Sequence, residues 1–161
     1  STPLIAHWPE GITTPGQLRR TAGHVIDIVP TVLELAGTER SAVVTVAEAP
    51  ESPGRSFVAS FSDDSAALHE SLWWLHEGNR AIRMGDWKAV AAKGEPWELY
   101  NLENDRSEQS DFSKSKPEIL ARLTKQWDAT TQEFTALSES ETGSQKTDNK
   151  TGARKKSNKK N

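Results

Sequence analysis

Between Ser71 and Tyr100 short apolar runs alternate with glycine, and this pattern constrains the fold more than any other stretch. SLWWLH ends before Glu77-Gly78, NRAIR before Gly85-Asp86, DWKAVA before Lys93-Gly94, and PWELY follows. The three glycines fall 7 and 9 residues apart, as turn residues of an antiparallel meander should. Alternation along a strand then puts Leu72 and Trp74 on one face and Trp73 and Leu75 on the other. In the third run it aligns Trp87, Ala89 and Ala91.

The apolar face of such a meander needs a cover. Ser115 followed by Glu118 makes a capping box, and Pro117 suits a first helical turn. Leu120, Leu123, Trp127 and Phe134 then form a stripe at steps of 3, 4 and 7, so a helix over about 116–135 is expected to lie on the sheet. Trp73, Trp74, Trp87, Trp97 and Trp127 all fall at packing positions. Core residues and a carbohydrate-stacking platform are the two readings of that set.

Upstream, the apolar run Leu4 to Trp8, closed by Pro9 and Gly11, reads as a buried strand. A strand edge needs a pairing neighbour, so truncation of a longer chain is expected. Apolar residues from Val25 to Ala36 give a helix stopped at Gly37. Pro30 is tolerated only in a first turn, which sets the helix at about 28–36 with Asp27 as its N-cap. Residues 38–64, rich in Ser, Ala, Pro and Gly, are expected to be a loop.

Charge separates a tail from the body. Residues 137–161 hold seven basic and three acidic residues and no aromatic, whereas residues 1–136 hold 13 basic against 20 acidic. The tail is expected to be disordered for want of apolar groups to bury. Its run Arg154-Lys155-Lys156 and Lys159-Lys160 has no interleaved aromatic, so a nucleic-acid partner is not expected. The absence of a long apolar run argues against a membrane span, and no signal peptide is visible. Zero cysteines exclude a disulfide framework and Cys-ligated zinc. The expected organisation is 1–64, 65–136 as a sheet-and-helix subdomain, and 137–161 as the basic tail.

Four histidines are the first residues to test as acid, base or ligand. His69 and His76 share no metal-like spacing with carboxylates, and His7 lies beside Trp8 on the first run. His24 stands three before Asp27, where it either caps the helix or serves a pocket. The acidic pair Asp63-Asp64 lacks the about six to eight oxygen ligands that calcium demands, and reads as solvated loop carboxylates. His76, Glu77, Asn79 and Arg80 are the candidate substrate-binding residues. They gather an imidazole, a carboxylate, an amide and a guanidinium at one hairpin turn, where binding groups collect. The planar fork of Arg suits an oxyanion. A cross-hairpin ion pair of Arg80 or Arg83 with Glu77 or Asp86 is the competing use. No residue is assigned as catalytic or as a metal ligand.

Four motifs in order carry a resemblance: PLIAHWP at Pro3 to Pro9, His24 to Gly37 with the form H-x-x-D-x-x-P-T-x-L-x-x-A-G, Gly85-Asp86-Trp87-Lys88, and WELYNL at Trp97 to Leu102. Over roughly residues 1–130 the chain resembles the C-terminal portion of a sulfatase of the arylsulfatase type. The resemblance implies an α/β alkaline-phosphatase-like sandwich for the parent. For this chain it implies an α+β piece: the last strand and helix of the large domain, then an antiparallel sheet of about four strands packed on one helix. It further implies a sulfuric ester hydrolase, periplasmic or secreted, that uses a formylglycine and calcium on an aryl or carbohydrate sulfate ester. The formylglycine motif and calcium ligands of that family do not match here, so the chain alone is expected to bind no calcium and to be inactive without the N-terminal part of the sulfatase. A stand-alone binding or interaction module reusing the subdomain is the alternative.

Overall fold

The computed structural model describes residues 2–39, 52–64 and 67–157, with side chains as far as residue 139. The chain divides into two compact units, Ser1–Leu72 and Trp73–Asn161. The expected boundary stood at 64–65. Much of the expected 38–64 loop lies outside the described residues.

The sheet forms where the glycines predict it. Strands β1 (Leu72–His76), β2 (Asn79–Met84), β3 (Trp87–Ala91) and β4 (Glu98–Asn101) are hydrogen-bonded neighbours in chain order, and β2–β3 and β3–β4 pair antiparallel. At the first hairpin both central residues take positive φ, Glu77 at 51° and Gly78 at 90°, as a type I′ turn asks. A Cβ on Gly78 would also meet Lys93 Cγ at 2.9 Å.

Register decides the core. Ile82 faces Ala89 and Ala89 faces Leu99, so one row crosses three strands, and all three are fully buried. Helix α2 (Pro117–Ser157) closes that row with Leu123 and Trp127. Trp73 stacks on Trp127 at 6.2 Å between ring centroids, and Trp97 meets Trp127 edge-on at 5.6 Å. The indole N–H groups are satisfied as well. Trp127 donates to the Trp74 carbonyl at 3.1 Å, and Trp73 to Thr131 Oγ1 at 2.9 Å. Core packing, not a stacking platform, is therefore what Trp73, Trp97 and Trp127 do.

Two helix expectations change. Ser115 Oγ donates to the Phe112 carbonyl, and α2 runs past residue 135 to Ser157. After Pro117 no proline interrupts it, and Glu, Gln, Lys, Arg and Ala are good helix formers.

In the first unit a 3-10 turn, Val25–Asp27, leads directly into helix α1 (Ile28–Leu35), close to the expected 28–36. A second 3-10 turn covers Val58–Phe61. Gly54 is buried against the start of α1, where a Cβ would stand 2.2 Å from the Ile26 carbonyl oxygen. The expected buried strand does not form: residues 3–8 are exposed and belong to no sheet. Strand identity is a matter of pairing, and the described sheet is complete without this segment. Among the described residues, no helix is long and apolar enough to cross a membrane.

Candidate functional sites

The hairpin tip holds the four expected binding residues, but two of them are turned to structural use. Asn79 Nδ2 donates to the His76 carbonyl at 3.1 Å and its Oδ1 accepts from the Lys93 N–H at 3.1 Å. Its amide therefore ties the first turn to the β3–β4 loop. Arg80 lies over the Trp97 ring, 4.7 Å from the centroid, and donates to the Glu95 carbonyl at 3.0 Å. A guanidinium stacked on an indole is held by the ring quadrupole. The cross-hairpin carboxylate pair is not what Arg80 makes. His76 and Glu77 are exposed.

On the other face of the sheet Lys88 pairs with Glu108 at 2.6 Å, so its head group has a specific partner. Tyr100 donates to Glu98 at 2.9 Å. Burial first, and then that bond, push its hydroxyl up to about 12, so it stays protonated at neutral pH.

The densest polar centre lies in the first unit and was only half visible in the sequence. Asp27 is fully buried. Its Oδ2 accepts from the His24 N–H at 2.7 Å, and Oδ1 accepts from the Arg55 N–H at 2.8 Å. His69 Nε2 stands 2.8 Å from the same Oδ1. A carboxylate can only accept, so that nitrogen carries the hydrogen. Thr31 continues the network: its hydroxyl donates to the Asp27 carbonyl at 2.6 Å and accepts from the Phe57 N–H at 2.8 Å. His24 Nδ1 accepts from the Ile26 N–H at 3.4 Å, completing a capping box with Asp27.

The capping reading of His24 is thus the observed one, while Asp27, at the N-cap position of α1, makes no side-chain cap bond to that helix and turns its carboxylate back to the His24 N–H. The H-x-x-D spacing carried that signal. Nothing local marked His69 or Arg55, which reach Asp27 from 42 and 28 residues away. The arrangement orients an imidazole on a buried carboxylate and pins three chain segments together.

Asp64 is also more than a solvated carboxylate. It accepts from the N–H groups of Arg20 and Thr21 at 2.6 Å each, and from the Thr21 hydroxyl at 2.5 Å. The hydroxyl bond and then the Arg20 N–H hold it below its ordinary value. Among the described residues no group of three or more His, Asp or Glu side chains could hold a metal ion.

No family model matches the sequence. A curated protein of Schizosaccharomyces pombe, described as an uncharacterized sulfatase, is 32% identical over 110 residues, which are 64% of this chain and 20% of that protein. The crystal structure of Ps i-CgsB matches with a TM-score of 0.60 and 28% identity, over 76% of this chain and 27% of that one. Its complex with k-i-k-neocarrahexaose matches at 0.59 and 27%. A structure described under glycosaminoglycan metabolism by Bacteroides thetaiotaomicron shares the fold at a TM-score of 0.50 and 18% identity, over 65% of this chain and 24% of that one.

The four-stranded antiparallel sheet backed by a helix matches the C-terminal subdomain of sulfatases. The chain is similar to the C-terminal portion of such a protein, and spans about a fifth of the length of the curated relative it matches.

Proposed function

We propose that the chain serves a sulfuric ester hydrolase acting on carbohydrate or aryl sulfates, and supplies its C-terminal scaffold, not its reacting groups. The observation that carries this reading is the 32% identity over 110 residues to a protein described as a sulfatase. The carbohydrate class draws on the fold likeness to Ps i-CgsB, which was solved with a neocarrahexaose bound. A formylglycine and calcium would come from the rest of the enzyme. The chain has no cysteine, and no chemical step is assigned to its carboxylates. Periplasmic or secreted residence belongs to the same proposal.

Within the assembled enzyme, the exposed His76 and Glu77 are the members of the hairpin tip free to meet a sulfated sugar, with Asn79 and Arg80 holding the turn that presents them. The test is a graft. This chain, replacing the matched segment of the fission yeast relative, should support hydrolysis of an aryl sulfate, whereas the purified chain alone should give none. A folded but inactive graft beside an active parent overturns the reading. Retention of a sulfated oligosaccharide by the chain alone, without hydrolysis by the graft, would favour a binding module instead.

A further inference from the structure

Charge is segregated along the chain: residues 150–161 hold six basic residues and no acidic one, while residues 1–136 carry a net charge of −7. Helix α2 spans the change of sign. Its near part belongs to the core, where Leu123 is fully buried and Phe134 meets the Trp73 ring edge-on at 5.1 Å. Between Phe134 and Lys150 the helix then rises about 24 Å, at 1.5 Å per residue. That is about three Debye lengths at physiological ionic strength, so the acidic body neither neutralises the basic run nor repels what binds to it. Glu139, Glu141 and Asp148 are the acidic residues in between, and none follows them. A solubilising extension would add to the charge already present, because solubility follows the magnitude of the net charge. This run does the opposite, and with it the whole chain stands at −3. Charge set against the rest of the molecule suits a polyanionic partner.

We propose that the basic run from Lys150 to Lys160 is an electrostatic binding site for a sulfated polysaccharide. The identity of the polymer rests on the sulfatase reading above, which supplies a sulfated carbohydrate as the partner. Composition selects among polyanions. Five of the six basic residues are Lys, a hydrated point charge without the bidentate fork of Arg. No aromatic lies among them for a base to stack on, so the run suits a repeating sulfate charge better than a nucleic acid. Ala153 is the only apolar side chain in residues 138–161, which leaves no apolar face to enter a lipid surface. Lys146, Lys150 and Arg154 recur at steps of four, the spacing that aligns positions along one side of a helix. A line of charge is what a linear polyanion matches.

The experiment titrates the purified full chain with dextran sulfate over a salt series, with neutral dextran, duplex DNA and phosphatidylserine-containing vesicles in parallel. Dextran sulfate should bind and neutral dextran should not. The logarithm of affinity should fall linearly with that of salt concentration, as release of condensed counterions demands. Lys150→Gln with Arg154→Gln, Lys155→Gln and Lys156→Gln should weaken binding by about tenfold or more and flatten that slope by about 3. A matched variant removes four exposed cations of the body instead, by Lys114→Gln, Lys116→Gln, Arg122→Gln and Lys125→Gln, and should leave affinity and slope unchanged. Circular dichroism checks that both variants keep the fold, and the basic run lies outside the core that Leu123 and Trp127 close.

No binding of dextran sulfate overturns the proposal, as does an equal loss in the two variants, because net charge and not the run would then be the cause. Tighter binding of DNA or of the vesicles than of dextran sulfate overturns the occupant and assigns the run to that partner. The aryl sulfate graft reports on the sulfatase reading separately. Binding by the basic run beside an inactive graft keeps the site and removes that reading, whereas an active graft without binding does the reverse.

Discussion

Asp27 shows how much one side chain can organise. Three donors from three segments converge on its carboxylate, and a donor left unsatisfied in a buried place costs about 1–3 kcal/mol. Asp27→Ala should therefore release the 24–31 and 54–57 segments, seen as faster limited proteolysis there with the sheet unit intact. Equal cleavage of wild type and variant would show that the centre holds nothing together. A second residue-scale prediction concerns acid. The N–H of Ser110 above all, and that of Gln109, hold Asp105 below its ordinary value. At Asp111 burial pulls upward, but the N–H groups of Leu99 and Ser113 outweigh it. Both folded values lie below the unfolded 3.8. Their stabilisation is therefore complete above about pH 4 and fades as pH falls through the folded values. Thermal midpoints at pH 5 and pH 3 should differ less in Asp105→Asn than in the wild type.

At the scale of elements, the sheet was legible because its determinants are local. Gly78 and Gly85 sit where positive φ is needed, and period-two alternation puts Ile82, Ala89 and Leu99 in one row. Helix α2 was legible from its stripe. Its far end was not, because beyond Phe134 no periodic apolar signal says where to stop. The Leu4–Trp8 run forms no strand among the described residues for a physical reason: an apolar run reports a wish for burial, while a strand exists only with a partner. His69 and Arg55 were invisible because contacts across 42 and 28 residues leave no spacing to read. The key packing element is Trp127, 8% exposed and in contact with two other indoles. Trp127→Ala should cost about 3–5 kcal/mol, as other large aromatic truncations in cores do. Urea unfolding followed by circular dichroism would measure it, and a loss below about 1 kcal/mol would mean the site collapses around the gap.

At the scale of the molecule, the two units differ in how well they satisfy themselves. The second has a closed apolar row and a helix to cover it, whereas the first presents aliphatics to water. Hydrogen exchange on the chain alone should protect amides in residues 80–92 and 119–130 and leave residues 3–8 open; the reverse pattern would put the stable core in the wrong half. Removing residues 140–161 should leave the unfolding midpoint where it was, because that stretch offers almost no apolar group.

The tryptophan arrangement has an optical consequence. Trp73, Trp97 and Trp127 sit in apolar surroundings in the second unit, with the Arg80 cation over one ring, whereas Trp8 is exposed in the first. Indole emission shifts to longer wavelength with solvent polarity, so the folded chain should emit mainly at the blue end with a red shoulder from Trp8. A fluorescence melt would then follow the sheet and its helix alone. Loosening of the first unit would pass almost unrecorded in that signal.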